Sequence, residues 1–135
     1  MARKLIIMVL AVLLGGAAVA QSEEPAGTGD EIYTVVEQNP EFPGGMDALL
    51  QWLGTHVEYP EEARSQGLEG KVYVTFVVER DGSISNVRVI SPKETLAPLN
   101  EEAVRVVKSM PRWKPGKQRG KRVRVQFNLP IQFAL

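Results

Sequence analysis

His56 is the only histidine among 135 residues, and the chain contains no cysteine. A histidine-based metal centre would need several carboxylates gathered around one nitrogen ligand, with no thiolate to help. The lack of cysteine also excludes disulfides, thiol nucleophiles and a lipobox-type lipid anchor. No G-x-S-x-G run supplies a serine for His56 to activate. Glu61-Glu62 and Glu101-Glu102 are adjacent acids on helix-like segments, and adjacent helical residues point in different directions, so neither pair makes an acid/base dyad. Gly67-Leu68-Glu69-Gly70-Lys71 and Gly116-Lys117-Gln118-Arg119-Gly120-Lys121 are glycine-rich, but neither has phosphate-loop spacing. The residue inventory therefore predicts no cofactor, no metal and no enzymatic activity.

What remains is charge and shape. The formal charge is zero, but from Ala103 onward there are no acids and nine bases: Arg105, Lys108, Arg112, Lys114, Lys117, Arg119, Lys121, Arg122 and Arg124. Residues 21–102 hold all 16 acids and five bases, a net of −11. The plainer expectation is a fold that brings the halves together so that the charges pair on the surface. The sharper one is a basic face that steers an acidic partner. Nucleic acid is not expected as the partner, because no aromatic residues interleave with the bases.

The N-terminus reads as an export signal. Arg3-Lys4 form a basic region, Leu5 to Leu14 an apolar core, and Ala18-Val19-Ala20 a small-residue cleavage site. The rival is a short membrane anchor. As a helix, Leu5 to Ala20 would span about 24 Å against a hydrocarbon core of ~30 Å, which favours cleavage. The predicted organisation is residues 1–20 as the signal, 21–39 as a flexible lead-in with a short strand near Ile32 to Glu37, and 40–135 as one domain.

Within that domain, Met46, Leu49, Leu50, Leu53 and Val57 recur at helical spacing. Tyr59-Pro60 opens a second helix, because proline suits a first helical position, and Gly67 suits its left-handed stop. Val72, Val74, Phe76 and Val78 mark one face of a strand that begins after Gly70. Asp81-Gly82 predicts a two-residue hairpin turn into a return strand over Ile84 to Ile90. There Val87 and Val89 share one face, while Ile84 and Ile90 fall with polar Asn86 and Arg88 on the other. Leu99, Ala103, Val106, Val107 and Met110 form a third helical stripe, with Glu102 outside it. Pro111 ends that helix, and a basic loop containing Trp113, Pro115 and Gly120 follows.

The last strand carries the clearest pattern. Val123, Val125, Phe127, Leu129, Ile131 and Phe133 alternate with Arg122, Arg124, Gln126, Asn128, Pro130 and Gln132. Pro130 cannot donate to a ladder, which predicts a sheet edge. The fold class is α+β: a small antiparallel three-stranded sheet with helices packed on one face.

The ordered landmarks Tyr59-Pro60, Ala63, Gly67, Gly70, Asp81-Gly82, the run Met110-Pro111-Arg112-Trp113-Lys114-Pro115-Gly116, Gly120 and the closing strand resemble the C-terminal domain of the TonB family. The Phe42-Pro43-Gly44-Gly45 lead and the Met110 to Gly116 run resemble the versions in the Bacteroidetes group. The resemblance covers roughly residues 40–133 and implies a periplasmic location, or an inner-membrane anchor facing the periplasm. It implies binding of an outer-membrane transport receptor through a short extended segment, the TonB box. That segment adds as a strand beside Arg124, Val125, Gln126, Phe127 and Asn128. One of the Gln126 and Phe127 N–H groups would face outward, and sequence does not give the parity. The resemblance also leaves open a homodimer through paired last strands, in a periplasmic interaction domain without a role in energy transduction. The family's proline-rich spacer and the polar residues of its membrane helix are absent, so contact with inner-membrane motor proteins is not expected.

Overall fold

The computed structural model describes residues 30–135. The predicted signal segment and most of the lead-in lie outside the described residues. Ile32–Leu135 form one compact unit. Its elements are β1 (Ile32–Tyr33), α1 (Met46–His56), α2 (Glu61–Gln66), β2 (Gly70–Val78), β3 (Ile84–Val89), a 3₁₀ turn (Glu94–Leu96), α3 (Ala97–Lys108), β4 (Gly116–Gln118) and β5 (Lys121–Phe133). No helix among them is long and apolar enough to cross a membrane.

The three predicted antiparallel strands are present, with β2 between β5 and β3, and two short strands extend the sheet. Residues 70 to 78 pair in unbroken register with 133 to 125. β1 lies parallel to β5 on its far side, with Ile32 opposite Arg124 and Tyr33 opposite Val125. β4 folds back on β5 through a tight turn in which Arg119 and Gly120 both have positive φ, 54° and 76°. The two-residue turn expected at Asp81-Gly82 is therefore found at Arg119-Gly120. The connection from β2 to β3 is longer, and Gly82 alone within it has positive φ, at 88°. The Gly82 N–H donates to the Glu79 carbonyl, the Glu79 N–H donates to the Ser83 carbonyl, and the Asp81 carboxylate accepts from the Ser83 N–H.

Even-numbered β2 side chains and odd-numbered β5 side chains fill the core. Val72, Val74, Phe76, Val78, Val123, Val125, Leu129, Ile131 and Phe133 are all buried. α3 lays Leu99, Ala103, Val106 and Val107 on the same face. α1 adds Leu49 and Leu53, with Ala48 and Trp52 beside them. Only part of the α1 stripe is internal, since Met46 and Leu50 are exposed. α2 contributes Ala63 and stops at Gly67 in the left-handed region. The Gly67 and Leu68 N–H groups there close back on the Arg64 and Ala63 carbonyls. Strand β3 corrects one expectation. Thr75 pairs with Arg88 but Val77 pairs with Ser85, so a bulge holds Asn86 and Val87 opposite Phe76. Asn86 has φ of 51°. The bulge reverses the side-chain parity, so that Ile84, Val87 and Val89 all pack toward the core.

Glu102, expected outside the α3 stripe, is buried. It accepts from the Glu58 backbone N–H at 2.7 Å and from Arg105 at 2.6 and 2.7 Å. Arg105 also donates to the His56 carbonyl. Burial pushes the Glu102 carboxyl up, but these donors outweigh it and hold the group below the ordinary glutamate range. The pair fastens the α1–α2 connection to α3. His56 itself stacks on Trp52, with centroids 4.1 Å apart, and serves as packing at a helix end.

Candidate functional site

The outer side of β5 is the feature of this fold that can bind another chain through its backbone. Its parity follows from one hydrogen bond. The Ile90 N–H donates to the Tyr73 carbonyl at 2.8 Å, so the polar groups of Tyr73 face β3. Backbone direction alternates along a strand, so those of Val72, Val74, Phe76 and Val78 face β5. Their partners there are Ile131, Leu129, Phe127 and Val125. Arg124, Gln126, Asn128, Pro130 and Gln132 consequently turn their backbone groups outward. Pro130 fits this parity, because its missing N–H falls where no ladder bond to β2 is lost.

Part of this edge is already paired. β1 covers Arg124 and Val125. Bonds in a parallel pair slant to residues on either side of the partner. The Tyr33 pairing thus reaches the Gln126 N–H. The outward groups beyond it are the Gln126 carbonyl, both groups of Asn128, the Pro130 carbonyl and both groups of Gln132. None has a strand partner among the described residues. Of the residues expected to bind a partner, Gln126 and Asn128 present outward backbone past β1. Arg124 and Val125 lie behind β1, and Phe127 faces β2. The Arg124 side chain holds Glu79 at 2.8 and 3.2 Å. The guanidinium, aided by the Ser85 hydroxyl and opposed by burial, holds the Glu79 carboxyl below its usual range.

The framework residues sit around this edge. The Tyr59 hydroxyl donates to the Leu68 carbonyl, and its ring meets Phe133 edge-on at 5.9 Å. Pro60 is the N-cap of α2, and Gly70 opens β2 against Leu96. Trp113 is 4% exposed and meets Phe42, Phe76 and Phe127 at 5.8, 5.4 and 5.0 Å. It locks the chain that crosses from α3 through Pro115 to β4.

The helix-free face of the sheet carries a second feature that the sequence pattern did not single out. A depression of about 330 Å³ is lined by Ile32, Thr75, Phe76, Val77, Asn86, Val87, Arg88 and Gln126. Thr75 is 3% exposed, and its hydroxyl has no hydrogen-bond partner. A threonine in strand alternation carries no signal of this kind, because the depression depends on the Asn86 bulge and on β1.

No group of three or more potential metal ligands occurs among the described residues. Comparison with known proteins places this geometry in a family context. The model of the Gram-negative bacterial TonB protein C-terminal region matches residues 55–135. The chain is 29% identical over 97 residues to protein TonB of Helicobacter pylori, a match covering 69% of this chain and 32% of that protein. A second Helicobacter pylori strain gives the same identity, with 33% of its protein covered. The chain thus spans about a third of the length of these curated relatives. Among solved structures, the Helicobacter pylori TonB C-terminal domain is 26% identical with a TM-score of 0.46, covering 69% of this chain and 86% of that one. The Pseudomonas aeruginosa TonB C-terminal domain is 28% identical with a TM-score of 0.41, covering 58% and 77%.

Proposed function

This chain belongs to the Gram-negative bacterial TonB C-terminal family, and from that premise we propose that it is a periplasmic binding module. In this reading it engages an extended segment of an outer-membrane transport receptor by strand addition, as part of energised nutrient uptake. The observation that carries the reading is the unpaired outward backbone from the Gln126 carbonyl to Gln132. An edge of that kind attracts extended partners. Main-chain hydrogen bonds supply affinity with little demand on the partner's side chains. The family match supports binding in preference to catalysis.

The test is titration of extended receptor-derived peptides against the protein, with Asn128→Pro as the decisive variant. The Asn128 N–H is the first outward donor clear of β1, and proline removes it without touching the β2 ladder. We expect binding to weaken about tenfold or more, consistent with loss of a rung and local distortion of the ladder, while circular dichroism stays unchanged. Unaltered affinity in a folded Asn128→Pro protein would reject this edge. Peptide-independent dimerisation through β5 would instead support a self-association domain of the same fold.

A further inference from the structure

We propose that the depression on the helix-free face is a carboxylate subsite, which selects a glutamate in the segment added at the β5 edge. The proposal rests on the strand-addition reading, and it names the side-chain chemistry that a bare backbone edge leaves open.

Three observations meet at this place. The Thr75 hydroxyl is closed off from solvent and unpartnered. A buried polar group in that state costs on the order of 1–3 kcal/mol until something bonds to it. Arg88 lies directly opposite Thr75 across the β2–β3 ladder and is exposed. Its guanidinium has no ion pair or hydrogen bond among the described residues. A fork of unengaged donors beside an unengaged hydroxyl suits a planar anion with two oxygens. Glu79 and Arg124, also at this end of the face, are engaged with each other. Glu79 is thus not bonded to Arg88.

The third observation is position. Gln126 belongs to both features: its carbonyl opens the free edge, and its side chain lines the depression. A strand added from Gln126 onward sends alternate side chains over the helix-free face, the first beside Gln126 and the next beside Asn128, which pairs with Thr75. Asn128, Thr75 and Arg88 lie on one line across the sheet, so two strand spacings of roughly 4.8 Å separate the position beside Asn128 from Thr75. A glutamate reaching inward and Arg88 reaching outward from β3 span the gap together, whereas an aspartate is one methylene shorter. No covalent step is involved.

Two measurements decide it. First, N-acetylglutamate α-amide is titrated into the protein, with NMR shifts followed at the Arg88 side-chain N–H and the Thr75 backbone N–H. We expect saturable millimolar shifts that are absent with N-acetylglutamine α-amide; silence at both positions overturns the subsite. Second, two extended peptides that differ by Glu or Gln at the residue beside Asn128 are compared. We expect the Glu peptide to bind about five- to tenfold tighter, the range of one charge-assisted hydrogen bond. Arg88→Ala should abolish that preference and Thr75→Val should reduce it, while affinity for the Gln peptide stays the same in both. Arg88→Ala lowering both peptides equally would overturn the proposal, as would equal binding of the two peptides by the unaltered protein. Binding of the small probe with no peptide binding at all would support the subsite and reject strand addition.

Discussion

The Trp113 N–H donates to the Gly82 carbonyl at 2.8 Å, and the Trp113 carbonyl oxygen lies only 2.1 Å from where a Cβ on residue 82 would stand. The turn between β2 and β3 and the crossing from α3 to β4 thus touch backbone to backbone. Arg112 adds a bond to the Asp81 carbonyl and an ion pair with its carboxylate at 2.9 Å.

Gly82→Ala should therefore do more than strain a turn. The new methyl meets a carbonyl, and φ of 88° is unfavourable for any side chain. We expect a loss on the order of 3 kcal/mol, read as a lower chemical-denaturation midpoint. Asp81→Asn in the same turn should lower the midpoint far less, because its ion pair is solvent-exposed. Equal midpoints for Gly82→Ala and the unaltered protein would show that the crossing can shift away.

Trp113→Ala should cost about 3–5 kcal/mol, as for other large buried aromatics. Trp113→Phe should cost much less, about 1–2 kcal/mol. The indole N–H is buried without a partner, so no hydrogen bond is lost with it. A Phe variant as damaged as the Ala variant would mean that the indole nitrogen is bonded.

Glu102→Gln should destabilise the protein by on the order of 1–2 kcal/mol at neutral pH. The folded carboxyl titrates below its ordinary 4.5. Its contribution is thus fully present above that value and is lost as the pH falls through the folded pKa. The stabilities of the two proteins should converge in acid. Denaturation curves at pH 7 and pH 3 check this, and a gap that is unchanged or wider at pH 3 would contradict it.

The parity of β5 makes Gln126 and Phe127 opposites. Phe127→Pro removes a donor to Phe76 and should break the inner ladder, with loss of sheet signal in circular dichroism. Phe127→Ala separates the loss of the ring from the loss of the donor. Gln126→Pro should keep the fold and release only β1, seen as faster hydrogen exchange at Tyr33. The reverse pattern would mean that the ladder register is offset by one residue.

Much of this was legible in the sequence. The alternation from Val123 to Phe133 named the core face of β5 because strand period and burial coincide there. Pro60, Gly67 and Pro111 bracket helices through backbone chemistry that is local by nature. What escaped depends on distant partners. The Asn86 bulge moves Ile84 to the core, and nothing local announces it. Glu102 looks solvent-facing until Arg105 and the Glu58 N–H meet it. A short strand was expected near Ile32 to Glu37, but its pairing with β5, which covers Arg124 and Val125, was not. Asp81-Gly82 suggested a two-residue hairpin, but the Gly82–Trp113 contact is what that glycine accommodates.

Pro130 sits in the middle of the open edge, and its effect depends on who the neighbour is. If two copies met antiparallel through β5, each would bring the same missing donor, so a symmetric ladder would lose that rung twice. An unrelated strand would lose it once and keep its own full set of donors. With the Gln126 N–H held by β1, each copy offers only Asn128 and Gln132 as outward donors along the strand. The edge is thus a poor template for copies of itself and a better one for a foreign strand, which disfavours chain-to-chain polymerisation.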